Sequence, residues 1–257
     1  MNCLHCNAEI PVDSVLCPSC GRCIDYSNSS VVRLDFGGTA GQLTGYMLLS
    51  AVASLVIIPL AWVNVAIQRW FCRNLKFSDG SSASFAGKGE QIVGWFILYI
   101  TIVVGFQVLN FKIPDSAIGS RLLLLAGYAL AITGIGLILL RWTVSKVELS
   151  IGPKLSFEGT YGEFIGWYAL LLLSFLTVIG WAWASAGMYR WMARSTRGSG
   201  IQFAFHGKGH QLLWRTLVCG LLCLFIIPIP WMIIALMQWV VENITMTRSA
   251  VESVVAA

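Results

Sequence analysis

The stretch FEGTYGEFIGWYALLLLSFLTVIGWAWASAGMYRW, residues 157–191, decides how this chain folds, because the chain writes it out more than once. Phe157 precedes Arg190 by 33 residues, and Phe36 precedes Arg69 and Phe205 precedes Gln238 by the same interval. A tryptophan follows each time: Trp191, Trp70 and Trp239. The openings agree too. FGGTAGQLTGY (36–46) matches FEGTYGEFIGW (157–167), and FAGKGEQIV (85–93) matches FHGKGHQLL (205–213). A fixed period of this length marks one supersecondary unit, copied and packed on its neighbours. A fourth copy runs from Phe85 to Arg141-Trp142, lengthened by an inserted apolar stretch. The four copies occupy about 29–73, 74–143, 144–194 and 195–248, within a membrane domain of 25–257 that follows a small unit at 1–24.

The chain is 57% apolar and 11% charged, against about 45–50% and 25% for a soluble globular domain. Windows 43–63, 91–111, 120–140, 164–184 and 217–237 are almost free of charge and read as membrane segments. A single soluble core is excluded, since 257 residues cannot cover that much apolar surface. The N-terminus is polar and cysteine-rich, so no cleavable signal peptide is expected. Lysines and arginines stand just outside the apolar blocks rather than in one basic patch, and no nucleic-acid partner is expected.

Between the blocks lie short segments with strand character. LKFSDGSSASF (75–85) turns at Asp79-Gly80, and KVELSIGPKLSF (146–157) alternates Val147, Leu149 and Ile151 with Glu148 and Ser150. SSVVRLDF (29–36), RSTRGSGIQFAF (194–205) and NITMTR (243–248) fit the same plan, as β-hairpins or paired strands at one membrane surface. Each leads into a helix; Thr39-x-x-Gln42 and Thr160-x-x-Glu163 have the capping-box spacing. A breaker then interrupts the block: Ile58-Pro59, Ile179-Gly180 or Ile227-Pro228-Ile229-Pro230. Each arm is left with ~15–17 residues, roughly 22–26 Å, short of the ~30 Å hydrocarbon core.

Two readings fit: one kinked spanning helix, or a helical hairpin that leaves by the face it entered. The second copy favours the hairpin, because its blocks 91–111 and 120–142 are joined by a polar turn at 112–116. Of 17 lysines and arginines only Lys112 and Arg121 would then face outward, as the positive-inside rule requires. The expectation is an α-helical polytopic protein of the bacterial inner membrane. It has four repeats of strand or β-hairpin plus helical hairpin, and its N-terminus is cytosolic.

Cys3-x-x-Cys6 and Cys17-x-x-Cys20 are two knuckles ten residues apart. Zinc takes four tetrahedral thiolates, and each knuckle offers two on one tight turn. A zinc ribbon with one structural Zn2+ is expected, closed to catalytic water and needing a reducing compartment.

Lys88 and Lys208 lie in G-K-G turns flanked by Gly87, Gly89, Gly207 and Gly209, where a strand gives way to a helix. Backbone N–H groups at a helix start beside a lysine suit an anionic lipid headgroup, although turn-forming glycines and interfacial lysines explain them as well. Gln42, Glu90, Glu163 and His210 align at the start of each first helix, as caps or as groups on a polar pathway with Asn64 and Gln107. The Arg-Trp pairs read as interface anchors of the aromatic belt. No nucleophile–base pair can be assembled, so an enzyme is not expected.

The pattern F-x-G-x-G-[E/Q], an apolar run, I-[P/G]-x-x-W and then R-W resembles the YjgN-like family of uncharacterised bacterial inner-membrane proteins. Phe85–Glu90, Phe157–Glu163, Thr177–Gly180 with Met188–Trp191, and Phe205–Gly209 carry it, over most of 30–248. The N-terminal ribbon and the extended second copy depart from that pattern. The resemblance implies a multispanning membrane protein and supplies no activity. From the residues, the expectation is an oligomeric channel or transporter-like component. The alternative is a scaffold whose ribbon and cytosolic strands bind a soluble protein or anionic membrane lipid. A homo-oligomer is expected.

Overall fold

The computed structural model describes residues 30–248 except 57, 115, 151–153, 178 and 223–227. The expected zinc ribbon, with Cys3, Cys6, Cys17 and Cys20, lies outside the described residues.

Four units follow one another, each running strand, helix, helix, strand. The first is β1 (Ser30–Phe36), α1 (Ala40–Ser54), α2 (Leu60–Asn74) and β2 (Leu75–Phe77). The second is β3 (Ala83–Phe85), α3 (Val93–Lys112), α4 (Ile118–Ser145) and β4 (Val147–Leu149). The third is β5 (Ser156–Phe157), α5 (Tyr161–Phe175), α6 (Trp181–Ser195) and β6 (Thr196–Gly198). The fourth is β7 (Ile201–Phe205), α7 (Gly209–Leu222), α8 (Ile229–Glu242) and β8 (Ile244–Arg248).

In every unit the two strands pair antiparallel with each other: β1 with β2, β3 with β4, β5 with β6, β7 with β8. Both ends of each helix pair therefore return to one layer, and the helices form hairpins rather than single kinked rods. The breakers make the turns. Pro59 and Gly180 stand immediately before α2 and α6, and α8 begins after Pro228. Four helices of units one and three have 15 residues and those of unit four have 14, while α3 has 20 and α4 has 28.

The units close into a circle. β8 pairs with β1 (Val32 opposite Met246), giving a six-stranded sheet in the order β2-β1-β8-β7-β6-β5, with β3-β4 as a second sheet. Cyclic chain order is broken only at β2/β3 and β4/β5. The helices repeat this order, since each packs on the next and α8 packs on α1. Each second helix also lies on the following unit's first strand: α2 on β3, α4 on β5, α6 on β7 and α8 on β1.

The segments 75–85 and 146–157 do not pair within themselves: β2 and β3 belong to different sheets, as do β4 and β5, because each strand pairs with its own unit's partner. The Asp79-Gly80 turn is present, with Gly80 at φ +78°, a conformation that favours glycine. The hairpin read across 194–205 does form, turning at Ser199-Gly200 with Gly200 at φ +70°.

Strand alternation sets the core. Val32, Leu34 and Phe36 of β1 join Phe77, Ala83, Phe85, Leu149, Ile201 and Met246 from five other strands in one apolar cluster, while Arg33, Asp35, Ser84, Glu148 and Gln202 are exposed. The outward surface is the reverse of a soluble protein's. No residue of α3 is buried, and Leu55, Phe111, Leu123 and Leu176 are 77–92% exposed. Among the described residues α3 and α4 are long and apolar enough to cross a membrane, with mean hydropathies of 1.8 and 2.3.

Candidate functional site

The 33-residue interval has a direct physical meaning. The phenylalanine that opens each unit meets the tryptophan near the end of that unit's second helix, edge to face: Phe36–Trp70, Phe85–Trp142, Phe157–Trp191 and Phe205–Trp239. Ring centroids lie 5.5–5.8 Å apart, a geometry that contributes about 0.5–1.5 kcal/mol beyond area burial.

The first glycine of the motif serves that pair. A Cβ at Gly38, Gly87, Gly159 or Gly207 would overlap the rings of its own phenylalanine and tryptophan. The second glycine serves the boundary between units. Gly89 sits against the Trp62 indole of the preceding unit, and Gly209 against Trp183. In the third unit this position is Tyr161, and the tryptophan it would meet is Gly134. The bulk has changed sides: Tyr161 packs over Gly134 and its hydroxyl donates to the Leu130 carbonyl.

In three of the four units the residue before the tryptophan latches adjacent units together. Arg69 Nη2 donates to the Gly87 carbonyl and Arg141 Nη2 to the Gly159 carbonyl, each at 2.8 Å. Gln238 Nε2 donates to the Phe36 carbonyl at 3.3 Å and so closes the circle. The corresponding Arg190 makes no such bond. The expected belt of anchors is therefore corrected. Trp70 and Trp239 are buried, and Arg69 and Arg141 hold the next unit's glycine loop.

The polar positions at the helix starts also shift by one residue. The equivalents of Gln42 and Glu163 are Gln91 and Gln211, not Glu90 and His210. Gln91 Oε1 accepts from Lys88 N–H and Gln211 Oε1 from Lys208 N–H, both at 3.4 Å, just as Glu163 Oε2 accepts from Thr160 N–H at 3.1 Å. Glu163 completes the capping box through Thr160 Oγ1. Gln42 instead accepts from Trp70 Nε1 at 2.9 Å. Glu90 and His210 are exposed, and no capping hydrogen bond from either side chain occurs among the described residues.

Lys88 and Lys208 carry exposed side chains on the second and fourth units, which are opposite rather than adjacent in the circle. A Cβ at Gly87, Gly89, Gly207 or Gly209 would meet an aromatic ring, so each glycine also serves packing. Asn64 is half-buried on α2 and Gln107 is exposed on α3, and no hydrogen bond joins them.

Sequence reasoning missed one polar cluster. Arg248 of β8 forms an ion pair with Asp79 at 2.8 Å, and the Asp79 carboxylate also accepts from Ser81 Oγ (2.6 Å) and N–H (3.0 Å). It ties the circle where the β2/β3 ladder is missing. Burial raises the Asp79 pKa, but the Ser81 hydrogen bonds and the Arg248 charge outweigh it and hold the carboxyl below its ordinary value. No group of three or more metal-ligating side chains occurs among the described residues.

The profile of a bacterial protein family of unknown function, DUF898, matches residues 31–255. The chain belongs to that family. The match covers all four units and leaves the cysteine knuckles outside it. No curated protein and no solved structure matches this family member.

Proposed function

We propose that the chain is an integral protein of the bacterial inner membrane and acts there as a platform. Its hairpins insert from the cytosolic side. Both termini, the strand layer and the ribbon stay in the cytosol, where they recruit a soluble protein or engage anionic lipid. Cys3, Cys6, Cys17 and Cys20 hold one structural Zn2+ in this reading, which keeps the ribbon folded.

The observation that carries it is the contrast between two surfaces. The outer faces of α1, α3, α5 and α7 are apolar and exposed, whereas the exposed positions of the strands, Val31 excepted, are polar or charged. Lipid suits the first and water the second. The strand layer is filled by Val32, Leu34, Ile201, Leu149 and Met246, which favours a platform over an aqueous conduit along the axis. Photocrosslinkers at Arg33 and Lys76 in the full-length protein test this. Crosslinks to one cytosolic protein that disappear when residues 1–24 are removed support recruitment, and an unchanged pattern refutes a role for the ribbon.

A transporter-like reading is favoured by one feature, an apolar cavity at the centre of the circle. Ion flux in liposomes that persists after Asn64→Leu and Gln107→Leu would remove those two residues from any pathway. The circle is complete within one chain, so neither reading needs a homo-oligomer to close it; one would form through the apolar outer faces.

A further inference from the structure

Units one and three are not neighbours in the circle, so a cavity touched by both α2 and α6 lies at its centre. Such a cavity, of about 260 Å³, is lined by Phe71 of α2, Tyr189 of α6, and Ile233, Leu236, Met237 and Val240 of α8. The lining follows the internal symmetry. Tyr189 and Met237 each stand one residue before the latch position of their unit, and Phe71 and Val240 each stand two after it.

We infer that this cavity holds one acyl chain of a membrane lipid, an inference that rests on the membrane placement proposed above. Apart from the Tyr189 hydroxyl at the mouth, the walls are Phe, Ile, Leu, Met and Val and offer water no partners, so the interior does not hold ordered water. Left empty, it would deprive its lining of dispersion contacts on one side. It is slightly smaller than the roughly 300–1,000 Å³ of small-molecule pockets, which admits one segment of a single acyl chain, the rest of the chain leaving through the mouth, and not a whole phospholipid. The cavity is not sealed: Tyr189 is 37% exposed and marks its mouth. The Tyr189 hydroxyl makes no hydrogen bond among the described residues and is the one polar side-chain group of the lining. At the mouth it can donate to the ester carbonyl of the seated chain.

The test uses the full-length protein in nanodiscs containing a phosphatidylglycerol with a photoreactive diazirine in one acyl chain, with labelled peptides mapped by mass spectrometry. The wild type should be labelled on α8 and around Tyr189. Met237→Trp, which fills the cavity, should lose that label, whereas Leu217→Trp on the exposed face of α7 should keep it. Val240→Phe serves if Met237→Trp lowers the yield of folded protein. Label on α8 that survives either folded cavity-filling variant overturns the inference, as does label confined to the outer faces. Protein released from membranes by alkaline carbonate would instead defeat the membrane placement itself, so the two failures are distinguishable.

Discussion

Moving the bulk at one boundary between units tests the packing directly. In the wild type Trp62 covers Gly89, whereas Tyr161 covers Gly134 at the next boundary. Gly89→Tyr alone forces a phenol into an indole and, as overpacking, costs about 2–3 kcal/mol. Trp62→Gly alone removes an indole that is 44% exposed. Its loss is thus about half of the roughly 3–5 kcal/mol for a buried tryptophan, plus about 1 kcal/mol for glycine inside a helix. Independent sites would sum to about 5 kcal/mol, or on the order of 10–20 °C in Tm for a chain of this size. The double variant recreates the Gly134/Tyr161 pairing and should lose no more than about 2 kcal/mol, with a coupling of about 3 kcal/mol. Thermal unfolding of the purified protein in one detergent, followed by intrinsic tryptophan fluorescence and size exclusion, measures all four corners of the cycle. Strictly additive losses would refute the reasoning, because they would mean that Trp62 and position 89 do not share a boundary.

The latches give a second expectation. Arg141→Ala should destabilise by about 1–2 kcal/mol, since it removes a charged donor from the Gly159 carbonyl, and Arg190→Ala by less than about 0.5 kcal/mol. Equal losses in thermal unfolding would contradict the latch. Asp79 makes an acid-sensitive tie: its depressed pKa contributes stability that is present above the ordinary value of 3.8 and lost as pH falls below it. Asp79→Asn should therefore lower stability at pH 7 and flatten the decline between neutral and strongly acidic pH; an unchanged acid profile would show that the ion pair does not matter. Metal analysis of protein purified without chelator should find one zinc per chain, absent after Cys17→Ser while the membrane domain stays inserted.

Much of the unit was legible because its signals are local. The Thr160/Glu163 box, the breakers at Pro59, Gly180 and Pro228, and the alternation of β1 each depend on residues within one or two turns. The circle was not legible, since the pairing of Val32 with Met246 joins residues from opposite ends of the domain. The arginines were misread for the same reason. An Arg-Trp pair at the end of an apolar block looks like an interface anchor until the next unit's carbonyl is known to lie beneath it. The helix-start alignment slipped by one because G-K-G-E and G-K-G-H draw attention to Glu90 and His210. The capping carbonyls belong to the following Gln91 and Gln211. At the 75–85 segment a good turn sequence suggested a hairpin, but the stronger claim of each strand on its own unit overrode it.

The central claim is that every hairpin enters and leaves the membrane by the cytosolic face, and single-cysteine accessibility tests it most directly. In a chain with Cys3, Cys6, Cys17 and Cys20 replaced by serine and Cys23, Cys72, Cys219 and Cys223 by alanine, single cysteines at Gly80, Ser199 and Ser116 would be exposed in intact cells to a membrane-impermeant thiol reagent. The account predicts reaction at Ser116, in the turn between α3 and α4, and protection at Gly80 and Ser199 until the cells are opened. Labelling of Gly80 or Ser199 from outside would contradict it.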